Sequence, residues 1–408
     1  MKSITIRSTF AALAVLAAAA LTCATAKASP FHALRLGSPP SNAQKWFTVN
    51  LKPGTSKADL NLVADYYRQY GLDVHASVEN ELLFVHGTYG EAAAAGHTSF
   101  GYYKLRQTFV SLDQPEAYPP EIGSHIIATT MNDGPWAQNA ALYLRPSITV
   151  APAGGYTPAN IATYYDINPI YSAGVKGAGT NVAILTCGTI LPADISEFET
   201  ENGLPANTAK IVSVDGGATT TELESTGDTE RVIGTAPNTT VTLFVGPDPC
   251  DLGNLADLAA AALADESSKK FSSLSSSWGS TEDEYEGAPS DLSAEDTDLK
   301  GIMNDSTGSF ICSFDNGAFA AFGNELYNGE ITVWYPSSDP YVLGAGGTDA
   351  SSVSASNTTR TVELAWGESG GGVSTEFAIP SWQKGIKNIY STTKRNVPDV
   401  ALDASCGT

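Results

Sequence analysis

Three apolar runs of strand length crowd the middle of the chain: TNVAILTCG from Thr180, KIVSV from Lys210 and TTVTLFVG from Thr239. They read as buried strands, and the run NLADLAAAALADESS that follows reads as an apolar-rich helix. FSSLSSSWG, GSFICSFDNG and PYVLGAGGT continue the pattern with strands that end in turns. Strands alternating with helices predict an α/β fold with a parallel sheet. In such a sheet a ligand binds at the carboxyl ends of the strands.

The 408 residues are enough for a large core and more than one folding unit. The formal net charge of −22 argues against nucleic acid and anionic membrane as partners. That charge is not evenly spread. Residues 1–145 carry a net +1, and residues 146–408 carry −23 with 34 acids. All five histidines (His32, His75, His86, His97 and His125) lie in the first part. There WFTVNLKP alternates like a strand, TSKADLNLVADYYRQYGL reads as a helix capped by Ser56, and ENELLFVHGTYG reads as another strand. This is a small α/β unit. SITVAPAGGY, Ser147 to Tyr156, is a linker and a candidate boundary. A near-neutral, histidine-bearing unit beside an acidic one suggests a pH-sensitive partnership, with acid weakening the attraction; a two-domain protein with surface histidines is the simpler alternative.

Lys2 and Arg7, the run FAALAVLAAAAL and the small-x-small site AKA before Ser29 read as a cleaved export signal. Export permits disulfides. Cys187, Cys250, Cys312 and Cys406 would remain, and three pairings are open.

The chemistry of the acidic part is narrowed by what it lacks. GESGGG, Gly367 to Gly372, matches G-x-S-x-G, but a nucleophilic Ser369 needs a histidine base and a following helix; neither is expected, so the stretch reads as a glycine-rich loop. Histidine-based zinc sites fail on the same ground, and no P-loop occurs. Acid/base work must fall to carboxylates. Glu224 and Asp228 stand at i and i+4, on one face if helical, where one keeps its proton to higher pH. A chance pair, or Asp228 paired with Arg231, is the simpler reading. The acidic stretch Glu282 to Asp298 reads as a solvated loop or helix.

Seven stretches in one order change this. They are YTPANIATYYDINPIYSAGVKGAGTNVAIL, E-x-x-x-D followed by Ala236-Pro237, SSSWG, SFDNGA, YPSSDPYVLGAGGT, GGGVSTEFAIPSWQ and RNVPDVALDA. Together they resemble the sedolisin family of serine-carboxyl peptidases. The resemblance implies an α/β, subtilisin-like doubly wound parallel sheet, incomplete at the C-terminus and preceded by a small α/β prodomain. It divides the chain into a signal peptide (1–28), an activation prodomain (29–146) and a peptidase domain (147–408) truncated before the serine segment.

By the same resemblance Glu224 is the general base, Asp228 the acid that orients it and shares its proton, and Asp315 the oxyanion-hole acid. Ser277, Trp278 and Gly279 would pair with extended substrate. The implied protein is a secreted zymogen, extracellular or periplasmic, and a monomer. It acts on protein or peptide substrates, with its own prodomain as intramolecular inhibitor and chaperone, and meets neither nucleic acid nor membrane. Calcium is the implied cofactor, with ligands beyond the end of this chain and no metal site within it. Three positions depart from the family pattern: Thr186 at a site of a second acid, Phe314 before Asp315, and Arg231 on the helix. The family's G-T-S-x-x-x-P stretch, which carries the serine, does not follow Pro398-Asp399-Val400 within the 408 residues. The chain as given is therefore expected not to hydrolyse peptides. A non-catalytic binding protein of the same fold is the alternative.

Overall fold

The computed structural model describes residues 33–104, 107–139, 156–265, 271–305, 310–314, 332–349, 363–366 and 369–404. The expected strands assemble into one eight-stranded sheet. Its order runs Lys210–Ser213, Thr240–Gly246, Asn181–Cys187, Ser273–Ser276, Phe310–Phe314, Leu343–Asp349 and Leu364–Ala365, with Val400–Asp403 also on Leu343–Asp349. Every pairing is parallel except the one to Leu364–Ala365. From Asn181–Cys187 the chain places Lys210–Ser213 and then Thr240–Gly246 on one side, and only afterwards crosses to Ser273–Ser276 on the other. This is the doubly wound arrangement, and its topological switch point lies between Cys187 and Ser276.

The helix Leu252–Ala264 covers one face. Asp251 caps it, accepting from Asn254 N at 2.9 Å while Asn254 Oδ1 accepts from Asp251 N. Leu252, Leu255, Leu258 and Leu263 pack with Phe244, Phe271 and Leu274 in the largest core cluster. On the other face Ile195 and Ile233 pack on Ile184, Leu243 and Val245.

The N-terminal unit has a four-stranded antiparallel sheet ordered Asp73–Ser77, Leu82–Thr88, Gln44–Leu51 and Ile126–Thr129. The helix Lys57–Gln69 packs on it, with Ser56 Oγ accepting from Asp59 N at 3.1 Å as its cap. Its own core holds Phe47, Val49, Leu60, Val63, Tyr67 and Leu83. The linker Ser147 to Tyr156 lies, but for Tyr156, outside the described residues. No helix among the described residues is long and apolar enough to cross a membrane.

Two expectations are corrected. FSSLSSSWG is not one strand: Ser273–Ser276 belongs to the parallel sheet, and Trp278–Thr281 leaves it to pair antiparallel with Trp334–Tyr335. The break is local, because Ser276 Oγ bonds the Trp278 carbonyl and amide and turns the chain at Ser277. The acidic stretch Glu282 to Asp298 is helical but not solvated. Glu282, Glu284, Asp291, Glu295 and Asp298 are each at most 3% exposed. They are buried because donors meet them there: Glu282, for example, accepts from Ser374 Oγ at 2.6 Å and Thr375 N at 2.7 Å.

Among the described residues Cys187 and Cys250 form a disulfide, which closes 63 residues. It ties the end of a central strand to the start of the Leu252–Ala264 helix. A loop of that length predicts that breaking the bridge by Cys187→Ala with Cys250→Ala costs about 2–4 kcal/mol. A urea titration beside the parent chain measures this, and coincident curves would contradict it.

Candidate functional site

Glu224 and Asp228 both lie on the helix Leu223–Thr235, which starts at the carboxyl edge of the sheet after strand Lys210–Ser213. Glu224 is in its first turn, where the helix dipole favours negative charge. Asp228 follows one turn later on the same face, with Cβ atoms about 5–6 Å apart at this spacing.

Asp228 does not pair with Arg231 among the described ion pairs. Its partner is across the switch point: Ser277 Oγ donates to Asp228 Oδ1 at 2.9 Å. The other oxygen, Oδ2, is buried and has no hydrogen-bond partner among the described residues. Burial pushes the Asp228 carboxyl up to about 7, and the Ser277 hydrogen bond only partly offsets this. An oxygen in that state can carry a proton and offer it to a neighbour.

Ser277 and Trp278 are held from below. Trp278 Nε1 donates to Thr186 Oγ1 at 3.1 Å, and Thr186 Oγ1 lies 2.6 Å from Ser225 Oγ. Ser225 Oγ also reaches the Gly188 carbonyl at 3.1 Å. Thr186 and Ser225 are fully buried. This hydroxyl chain links the strand end at Cys187, the dyad helix and the Trp278 strand. Thr186 was legible as a departure from the family pattern; Ser225, beside Glu224, was not singled out.

Trp278–Thr281 has neighbours on both sides. Trp334–Tyr335 pairs with Ser280 and Thr281, and Gln138–Asn139 pairs with Trp278 and Gly279. A Cβ built on Gly279 would run into the Tyr335 carbonyl oxygen, so this close approach requires glycine. The structure thus joins Glu224, Asp228, Ser277, Trp278 and Gly279 at one edge of the sheet. Asp315 lies outside the described residues; the strand before it ends at Phe314, opposite Ala345.

Ser369 is spent elsewhere. Its Oγ accepts from Gly347 N at 2.8 Å, and the chain beyond it enters the strand Gly372–Ala378, not a helix. Among the described residues no group of three or more His, Cys, Asp or Glu could hold a metal ion. Calcium enters no step below.

No protein-family model matches the chain. It is 28% identical over 272 residues to kumamolisin of Bacillus sp. (strain MN-32), covering 62% of this chain and 46% of that protein. It is 25% identical over 412 aligned positions to xanthomonalisin of Xanthomonas sp. (strain T-22), covering 88% of this chain and 49% of that protein. The chain thus spans about half the length of these two relatives. Among solved structures, Pseudomonas sedolisin, a serine-carboxyl proteinase complexed with pseudo-iodotyrostatin, matches with a TM-score of 0.50 and 23% identity. That match covers 62% of this chain and 72% of the other and carries the fold.

Proposed function

We propose that this relative of the sedolisins carries the acid/base apparatus of a secreted, acid-acting serine-type endopeptidase, together with the N-terminal unit that restrains it. The observation that carries the reading is the Asp228–Ser277 hydrogen bond, which brings a proton-holding carboxyl to the switch point of a doubly wound sheet. The absence of histidine after residue 125 supports carboxylates in that role.

In this reading Glu224 takes the proton from a serine hydroxyl as the oxygen attacks a peptide carbonyl carbon, and it returns the proton to the leaving amine. Asp228 orients Glu224 and shares the proton. Asp315, protonated, donates to the oxyanion. Water then cleaves the acyl ester by the reverse use of the same groups. Substrate lies extended on Trp278 and Gly279, where main-chain pairing needs no particular side chain. Residues Gln138–Asn139 already pair with that strand, which supports the N-terminal unit as an intramolecular inhibitor. The Cys187–Cys250 bridge supports an oxidising, exported setting.

The test joins this chain to a segment bearing the G-T-S-x-x-x-P serine and follows hydrolysis of an acid-unfolded protein. Asp228 works in its protonated form. Its pKa is raised to about 7, so the activity is present in acid and is lost as pH rises through about 7. Hydrolysis that survives replacement of the added serine by alanine would refute the reading.

A further inference from the structure

The N-terminal sheet rests on the helices Leu252–Ala264 and Pro289–Asp305, and the contact is made by carboxyl groups facing neutral donors. Asp257 Oδ1 accepts from both Thr48 Oγ1 and Thr130 Oγ1 at 2.6 Å. Asp298 Oδ1 accepts from Asn50 Nδ2 at 2.7 Å, and Asp291 Oδ2 from Asn132 Nδ2 at 3.4 Å. The three carboxyls are at most 1% exposed. Around them the surfaces meet closely. Ala128 packs on Ala256 and Ala294, and a Cβ built on Gly253 would come within 2.6 Å of the Asn132 carbonyl oxygen.

The Asn50–Asp298 pair is the informative one. An amide offers a donor and an acceptor side by side. A protonated carboxyl offers the complementary acceptor and donor, whereas a carboxylate offers acceptors only. Asn50 Oδ1 and Asp298 Oδ2 are both buried and have no partner among the described residues; Asp291 Oδ1 is in the same state. A proton on Asp298 Oδ2 supplies the donor that Asn50 Oδ1 lacks.

Positive charge at the joint does not supply the alternative. Lys45 is buried on the N-terminal side and is committed to Asp133 of its own unit. Burial opposes its charge, and the carboxylate more than compensates, so it stays an ammonium. Its field also reaches Asp257 and Asp291. Against that one cation, Asp257 faces Asp215, Asp291 faces Asp251 and Glu116, and Asp298 faces Asp257 and Glu295. At the rim, His75 and His86 line a shallow groove with Asp73 and Asp215.

We propose that Asp257, Asp291 and Asp298 join the N-terminal unit to this helix pair as protonated carboxyl groups, so that its grip is firm in acid and loosens as the pH rises. Burial is the first cause that pushes each of the three well above the ordinary carboxyl range. The contribution of a group raised in this way is fully present below its free value of about 4 and is lost as pH climbs through the raised value. This reverses the direction expected from attraction between a near-neutral and an acidic half. It rests on no catalytic assignment.

The test is hydrogen–deuterium exchange of the full chain between about pH 4.5 and about pH 7.5, corrected for intrinsic rates, where opening should rise roughly tenfold per pH unit for each carboxyl that ionises. Peptides covering 44–51, 126–129 and 252–264 should lose protection, while strand 181–187 stays protected as the reference. Asp298→Asn replaces the protonated acid by an isosteric amide that cannot titrate. It should keep full protection in acid and lose it less steeply. Protection that is constant or rises with pH overturns the proposal. So does equal loss in strand 181–187, or an Asp298→Asn chain that opens in acid. If that variant fails to fold, the pH series on the parent chain decides alone.

Discussion

Glu224→Gln or Asp228→Asn should slow peptide hydrolysis by the serine-bearing form of this chain about 10²–10⁴-fold, the usual share of a positioned acid/base group. The same changes should stop self-cleavage of the bond behind the N-terminal unit at about pH 4, where carboxyl groups begin to hold protons. Asparagine at 228 keeps an acceptor for Ser277 Oγ but holds no exchangeable acid proton, so folding should survive while turnover does not. Thermal melting of each variant beside the parent separates the two effects. Normal processing by either variant would remove the pair from the mechanism.

The largest effect on stability is expected at Asp399. Arg395 is fully buried, and its guanidinium meets Asp399 through Nη1 at 2.7 Å and Nη2 at 2.6 Å. It also donates to the carbonyls of Ser337 and Val342 at 3.2 Å and lies against the Trp382 ring. Asp399 in turn accepts from Gly344 N at 2.8 Å and Gln383 Nε2 at 2.9 Å, so the pair fastens the last strand to the sheet. Asp399→Ala leaves a buried cation without its counter-charge and should cost about 3–5 kcal/mol. Arg395→Met together with Asp399→Leu removes both charges and should recover most of that loss. Chemical denaturation of the single and double variants measures the difference. A single variant within about 1 kcal/mol of the parent would show that the guanidinium is held by its carbonyls instead.

The parallel sheet was legible because its strands are buried on both faces: Asn181–Cys187 and Thr240–Gly246 are near-continuous apolar runs, and nothing else in the menu of structures suits them. The helix spacing of Glu224 and Asp228 was legible for a similar reason, since the dyad sits on local geometry. What escaped depends on partners far along the chain. Asp291 and Asp298 look like solvated charges until Asn132 and Asn50, 159 and 248 residues away, come to meet them. Asp228 gave no sign of its bond to Ser277, because nothing in the local sequence says which strand end will face the helix. The cysteine pairing was open for the same reason.

Gln138 and Asn139 pair along Trp278 and Gly279 through the main chain, and they are covalently part of the chain they pair with. A short tether presents its end at roughly millimolar effective concentration. A free peptide of equal intrinsic affinity at micromolar concentration competes for the same strand at a disadvantage of about a thousandfold. In the proposed inhibition, part of the block is then a property of connectivity, and one severed bond takes that part away without altering a contact at the site.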